Sequence, residues 1–171
     1  MVEDVQKWVR ALGLKQFVLL GLSMGGRNAY QFASMHPEEV ERLVIVDIGP
    51  AIATAGSTRI SRGVQANDVF ETPEAAVAAG RAGNARADEA ELQNRTRNNL
   101  MLLDDGTWTF RYDKALRTNR LPRPATNDGW AMLSKIKAPT LLIRGELSDV
   151  LDAEVAERML KEIPNCKFAL V

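Results

Sequence analysis

Ten residues near the start of the chain, Phe17-Val18-Leu19-Leu20-Gly21-Leu22-Ser23-Met24-Gly25-Gly26, restrict its fold more than any other stretch. Phe17-Val18-Leu19-Leu20 is a short continuous apolar run, the pattern of a strand buried on both faces. A helical stretch follows, from Met24 to Met35, and Pro37 closes it. After the turn Pro37-Glu38-Glu39, Leu43-Val44-Ile45-Val46 predicts a second buried strand. Two apolar strands joined by a helix of this length make a βαβ unit, which requires a parallel sheet.

The flanking sequence extends that reading at both ends. Val2, Val5, Trp8, Val9 and Leu12 recur at helical spacing, and Gly13 follows where helices commonly stop. Thr140-Leu141-Leu142-Ile143 predicts a third buried strand, Asp152 the cap of a helix ended by Pro164, and Lys167–Val171 a fourth strand. Between about Gly49 and Asp128 the composition changes. Thr72-Pro73-Glu74 opens an Ala-rich helix, and Asp88-Glu89 opens another carrying Leu92, Leu100 and Leu103. Asp105-Gly106 signals a tight turn, and the alternation of Trp108, Phe110 and Tyr112 with Thr109 and Arg111 predicts a short strand or hairpin. Residues 117–124 lack periodicity and predict a loop. The expected class is α/β, a parallel sheet of about four strands with flanking helices.

Composition narrows the chemistry. The 22 basic and 22 acidic side chains cancel, so no polybasic arm or acidic tail is present to bind nucleic acid. The apolar runs are too short to span a membrane. One cysteine, Cys166, cannot close an intramolecular disulfide, and one histidine, His36, cannot join it in a zinc cluster. No metal, cofactor, nucleic-acid partner or membrane contact is expected, and the default compartment is the cytoplasm.

Gly21-Leu22-Ser23-Met24-Gly25 matches Gly-x-Ser-x-Gly, the nucleophile-elbow pattern, at a strand-to-helix junction. A serine there occupies a sharp, strained turn that lifts its hydroxyl clear of the sheet. Side chains two residues before and after are expected to collide, so both places call for glycine. The helix beginning at Met24 aims its free N–H groups at the same spot, and the Met24 N–H becomes one oxyanion donor. A phosphate-binding loop would need a Gly-Lys-Ser/Thr ending, and a dinucleotide fold would need Gly-x-Gly-x-x-Gly; neither is present.

With these residues in view, the sequence resembles the α/β-hydrolase fold family over nearly its whole length. ALGLKQFVLLGLSMGGRNAYQFASMHPEEVERLVIVDIGP resembles the helix, nucleophile strand, elbow, helix and next strand, and APTLLIRGELSDVL resembles the strand and loop that deliver the triad acid. The resemblance implies Ser23 as nucleophile and Asp149 as acid, with residues 1–49 and 128–171 as a partial core and 50–127 as a helical cap or lid. Asp47, ending the second strand, is the other candidate acid. Leu22 departs from the histidine many members carry beside the serine. The implied reaction is hydrolysis of an ester, lactone or related carbonyl compound, C–C cleavage included, through an acyl-enzyme. Serine at the elbow disfavours the haloalkane-dehalogenase and epoxide-hydrolase branches, which carry aspartate.

The triad order is serine, acid, histidine, and no histidine follows Asp149. His36 lies about twelve helical residues from the elbow, roughly 18 Å along the axis, at the wrong end. The loop that supplies the second oxyanion donor also has no counterpart. A truncated chain is therefore expected, inactive or residually active by itself, with the first strand as an unpaired sheet edge. The alternative is a non-catalytic protein that binds a small ligand, or a functionless fragment. Trp108, Phe110 and Tyr112 are expected to pack rather than line a pocket, and Arg117, Arg120 and Arg123 to lie on a solvated loop.

Overall fold

A computed structural model describes residues 1–83, 87–117 and 128–171. Its helices are α1 (Val2–Ala11), α2 (Met24–Met35), α3 (Thr54–Gln65), α4 (Pro73–Gly83), α5 (Glu89–Asn99), α6 (Gly129–Leu133) and α7 (Ala153–Glu162). Its strands are β1 (Phe17–Leu22), β2 (Val40–Val46), β3 (Val69–Phe70), β4 (Leu100–Leu102), β5 (Trp108–Phe110), β6 (Thr140–Arg144) and β7 (Cys166–Leu170). The chain divides into two compact units, the first built from residues up to Thr58 and from the C-terminal segment, the second from Arg59 onward.

The first unit contains a four-stranded sheet in the order β1-β2-β6-β7. Each neighbouring pair is parallel, as the βαβ pattern requires. Leu43 and Ile45 of β2 and Leu142 of β6 point to one face, where they join Val9, Phe32, Leu133 and Met159 from α1, α2, α6 and α7 in a single buried cluster. Apolar spacing built this layer: alternate strand residues and one stripe of each helix meet and exclude water.

The opposite face departs from expectation. Val18, Leu20 and Leu22 are 57%, 64% and 62% exposed, so β1 is buried on one face only. The reason is geometric, because the helices of the buried cluster all stand on the other face and β1 is an edge strand of the sheet. The α1 stripe is likewise buried only in part: Val9 is in the core, while Trp8 and Leu12 are exposed. Among the described residues no helix is long and apolar enough to cross a membrane.

Gly13 takes φ +66° just past α1, and α2 ends one residue before His36, with Pro37 next. Asp152 stands at the N-cap of α7 but its side chain makes no capping hydrogen bond. β2 begins at Val40, three residues earlier than the apolar run, because its first residues pair with β1 regardless of their polarity.

The second unit holds α4, α5 and a three-stranded antiparallel sheet, β3-β5-β4. Thr72 caps α4 by accepting from the Ala75 N–H, and Asp88 caps α5 by accepting from the Glu91 N–H. The Asp105-Gly106 turn joins β4 to β5, with Gly106 at φ +84° and the Asp105 carboxylate accepting from the Thr107 N–H. Leu100 leaves the helix on which the sequence placed it and becomes the buried start of β4. The predicted loop at 117–124 lies outside the described residues except for Arg117.

Candidate active site

Ser23 is the residue between the last position of β1 and the first of α2. Its backbone takes φ 51° and ψ −121°, a conformation that non-glycine residues adopt only under constraint. The constraint is visible. The Ser23 N–H donates to the Val46 carbonyl at 2.9 Å, tying the turn to β2, and its own carbonyl accepts the Arg27 N–H at 3.0 Å, starting the helix. The hydroxyl does not cap α2, although serine is a favoured capping residue. It therefore stays available beside the first N–H groups of α2, including that of Met24, which have no partner within the helix.

The glycines divide the steric work differently from expectation. A Cβ on Gly21 would meet the Gly25 carbonyl and the Gly26 nitrogen closer than 3.0 Å, so this position excludes every side chain. A Cβ on Gly25 would have nothing within 4 Å. The crowded partner is Gly26, whose Cβ would lie 2.6 Å from Ile48 Cγ2 and 2.8 Å from the Gly21 carbonyl oxygen. The strand end and helix start cross closely at residues 21 and 26, and residue 25 faces outward at the crossing.

Asp149 lies in the loop after β6, half-buried, at the same carboxyl end of the sheet as Ser23. With β2 between β1 and β6, the two strand ends are about 10 Å apart. Asp47 holds this loop. It follows β2 at φ 54°, and its N–H donates to the Ile143 carbonyl at 2.8 Å. Its carboxylate accepts the Gly145 N–H at 3.2 Å and the Ser148 hydroxyl at 2.9 Å. The Ser148 oxygen in turn accepts the N–H groups of Val150 and Leu151, both at 3.1 Å. Arg144 Nε donates to the Leu151 carbonyl at 2.7 Å and closes the loop from the other side. Asp47 is thus engaged with the backbone and hydroxyl that flank Asp149.

Gly56, in the first turn of α3, contributes a contact the sequence did not signal. Its Cβ would sit 2.8 Å from the Asp149 carbonyl carbon and 2.9 Å from Val150 Cα. Only a glycine lets this turn approach the loop.

His36 is at the far end of α2, where its Nδ1 lies 3.4 Å from Glu39 Oε1 and its ring packs 4.6 Å from that of Phe32. Its place matches a helix-end histidine and keeps it away from Ser23. Cys166, on β7, is half-buried, and burial pushes its thiol up to about 11, which leaves it protonated at neutral pH.

In the second unit Phe110 packs edge-on against Phe70 at 5.6 Å and stacks with Tyr112 at 6.2 Å. Arg117 is not the solvated side chain expected. Its Nη1 is 3.0 Å from Asp68 Oδ1, and its guanidinium donates to the Tyr112 hydroxyl and the Ala66 carbonyl. Arg120 and Arg123 lie outside the described residues.

These features, a strained serine at a parallel strand-to-helix turn and an aspartate loop two strands away, agree with the comparison to known proteins. The chain belongs to the alpha/beta hydrolase fold family, whose model matches residues 1–171. It is similar to the esterase Rv0045c of Mycobacterium tuberculosis, 32% identical over 147 residues that make 81% of this chain and 47% of that protein. It is also similar to the sn-1-specific diacylglycerol lipase ABHD11 of Mus musculus, 45% identical over 74 residues, which are 43% of this chain and 24% of the lipase. A crystal structure of an alpha/beta hydrolase from Novosphingobium aromaticivorans superposes with a TM-score of 0.84 at 26% identity, covering 99% of this chain and 62% of that one. The chain thus spans less than two thirds of each relative.

Proposed function

We propose that the protein is a serine-nucleophile hydrolase acting on an ester, lactone or related carbonyl compound, C–C cleavage included. The observation that carries this reading is Ser23 itself: a serine at φ 51°, uncapping, at the N-terminus of a 12-residue helix. In the reaction the Ser23 oxygen attacks the carbonyl carbon, and the Met24 N–H hydrogen-bonds the oxyanion that forms. Collapse expels the leaving group and gives an acyl-enzyme, which water hydrolyses. Asp149 is the acid that orients and stabilises the protonated base. Residues 50–127 act as a cap, and substrate choice resides there. Esterase and lipase names among the relatives support the class of bond.

The base of such a triad is a histidine, and the single histidine of these residues, His36, stands at the other end of α2. The 171-residue chain alone is therefore expected to show absent or residual turnover. That same placement is the one observation favouring the second reading, a protein that binds a small ester-like ligand without chemistry.

Two measurements separate these readings. Incubated with p-nitrophenyl acetate, the purified chain is expected to give no burst. A burst abolished by Ser23→Ala would overturn the account of the base. A fluorophosphonate probe applied to a product of the gene as long as the relatives is expected to label Ser23, and failure to label would favour ligand binding.

A further inference from the structure

The second unit contains a cavity of about 310 Å³ between α4, α5 and the end of β5. That volume is at the small end of the range for small-molecule sites, roughly 300–1,000 Å³, which limits an occupant to a single ring or short branched chain. Leu92, Phe110 and the ring of Tyr112 give it apolar walls. Two features make it more than a packing gap.

The first is Thr96. It is 6% exposed and lines the cavity from the middle of α5. A helical threonine commonly returns its hydroxyl to the preceding turn, and the Thr96 oxygen is not among the buried side-chain atoms left without a partner, so it opens to the hollow. The side-chain hydrogen bonds of α5 among the described residues run from Gln93, Arg97, Asn98 and Asn99, and none involves the Thr96 hydroxyl. Gly80 of α4 faces it, and a Cβ there would stand in ordinary contact, 3.7 Å from the Thr96 oxygen. The second feature is charge. Arg95 and Arg111 both line the cavity, and neither has a carboxylate partner among the described residues. Arg111 donates its Nε–H to the Leu100 carbonyl at 2.7 Å, which orients the guanidinium and leaves its terminal nitrogens available. Two cations and an unpaired hydroxyl around an apolar hollow are complementary to an anion attached to an apolar body.

We propose that this cavity binds a small monocarboxylate with an aromatic or branched apolar body, its carboxylate held by Arg95 and Arg111 and hydrogen-bonded by Thr96. The site lies wholly within the second unit and does not depend on the chemistry at Ser23.

The test is a titration of the ¹⁵N-labelled chain with benzoate, followed by two-dimensional NMR. Benzamide serves as the neutral probe of the same shape, and acetate as the anion without a body. Saturable shifts are expected at residues 80, 92–99 and 110–112, with benzamide and acetate binding at least about fivefold more weakly. Arg95→Gln, on an exposed side chain, should weaken benzoate by about fivefold. Thr96→Val, which keeps the shape, should also weaken it. Unfolding midpoints of both variants establish that each is folded. Absence of saturable shifts, equal binding of benzamide, or wild-type benzoate binding in both folded variants would overturn the proposal.

Discussion

Asp47 ties the end of β2 to the loop after β6. A non-glycine residue at φ 54° is uncommon, and aspartate is among the few that tolerate it. The conformation turns its carboxylate toward the Gly145 N–H and the Ser148 hydroxyl, and so fixes the loop that carries Asp149. Asp47→Ala removes both acceptors and leaves a half-buried N–H and hydroxyl unpaired, at a cost of about 2 kcal/mol. Asp47→Asn keeps an acceptor oxygen and the tolerance of positive φ, so it should cost less than half as much. Chemical denaturation measures the two costs, and hydrogen exchange at Gly145, Val150 and Leu151 should accelerate in the alanine variant. Equal stability of alanine and asparagine variants would refute the positioning role.

At the scale of elements, an ion-pair cluster joins α3, β3, β5 and the 3₁₀ turn Lys114–Arg117 within the second unit. Asp68 is its centre, taking hydrogen bonds from Lys114 at 2.5 Å and from the Tyr112 hydroxyl at 3.1 Å, with Arg117 at 3.0 Å. Burial pushes the Asp68 carboxyl up, but the bonds from Lys114 and Tyr112 and the charges of Lys114 and Arg117 outweigh it, so it titrates below its ordinary 3.8. A carboxyl depressed on folding adds stability that is present above its unfolded value. That stability is lost as pH falls below about 3.8 through the folded value. Thermal unfolding should therefore show the wild type losing stability through this acid range. Asp68→Asn should start less stable at neutral pH and fall less steeply there. A parallel acid limb in both proteins would count against the cluster.

At the scale of the molecule, the parallel sheet has one covered face and one open face. Val18, Leu20 and Leu22 on the edge strand β1 expose apolar surface beside unpaired backbone groups, a combination that promotes association. The 171-residue chain in solution should bind a hydrophobic dye and scatter light increasingly with concentration. Replacing Val18 and Leu20 with lysine should reduce both signals while leaving helix content unchanged. Dye binding unaffected by the double substitution would place the exposed surface elsewhere.

The sequence by itself determined the βαβ frame, the four parallel strands, the turn at Ser23 and the caps at Thr72 and Asp88. Each depends on residues close in the chain: apolar period, a capping oxygen, a glycine at a tight crossing. Only the tertiary structure decided that Gly26 rather than Gly25 is the crowded glycine, that Gly56 touches the Asp149 loop, and that Arg117 is paired. It also decided which face of β1 is covered. The bond from Ser148 to Asp47 joins residues 101 positions apart. No local periodicity encodes such a contact, because it exists only after β2 and β6 have paired and brought their carboxyl ends side by side.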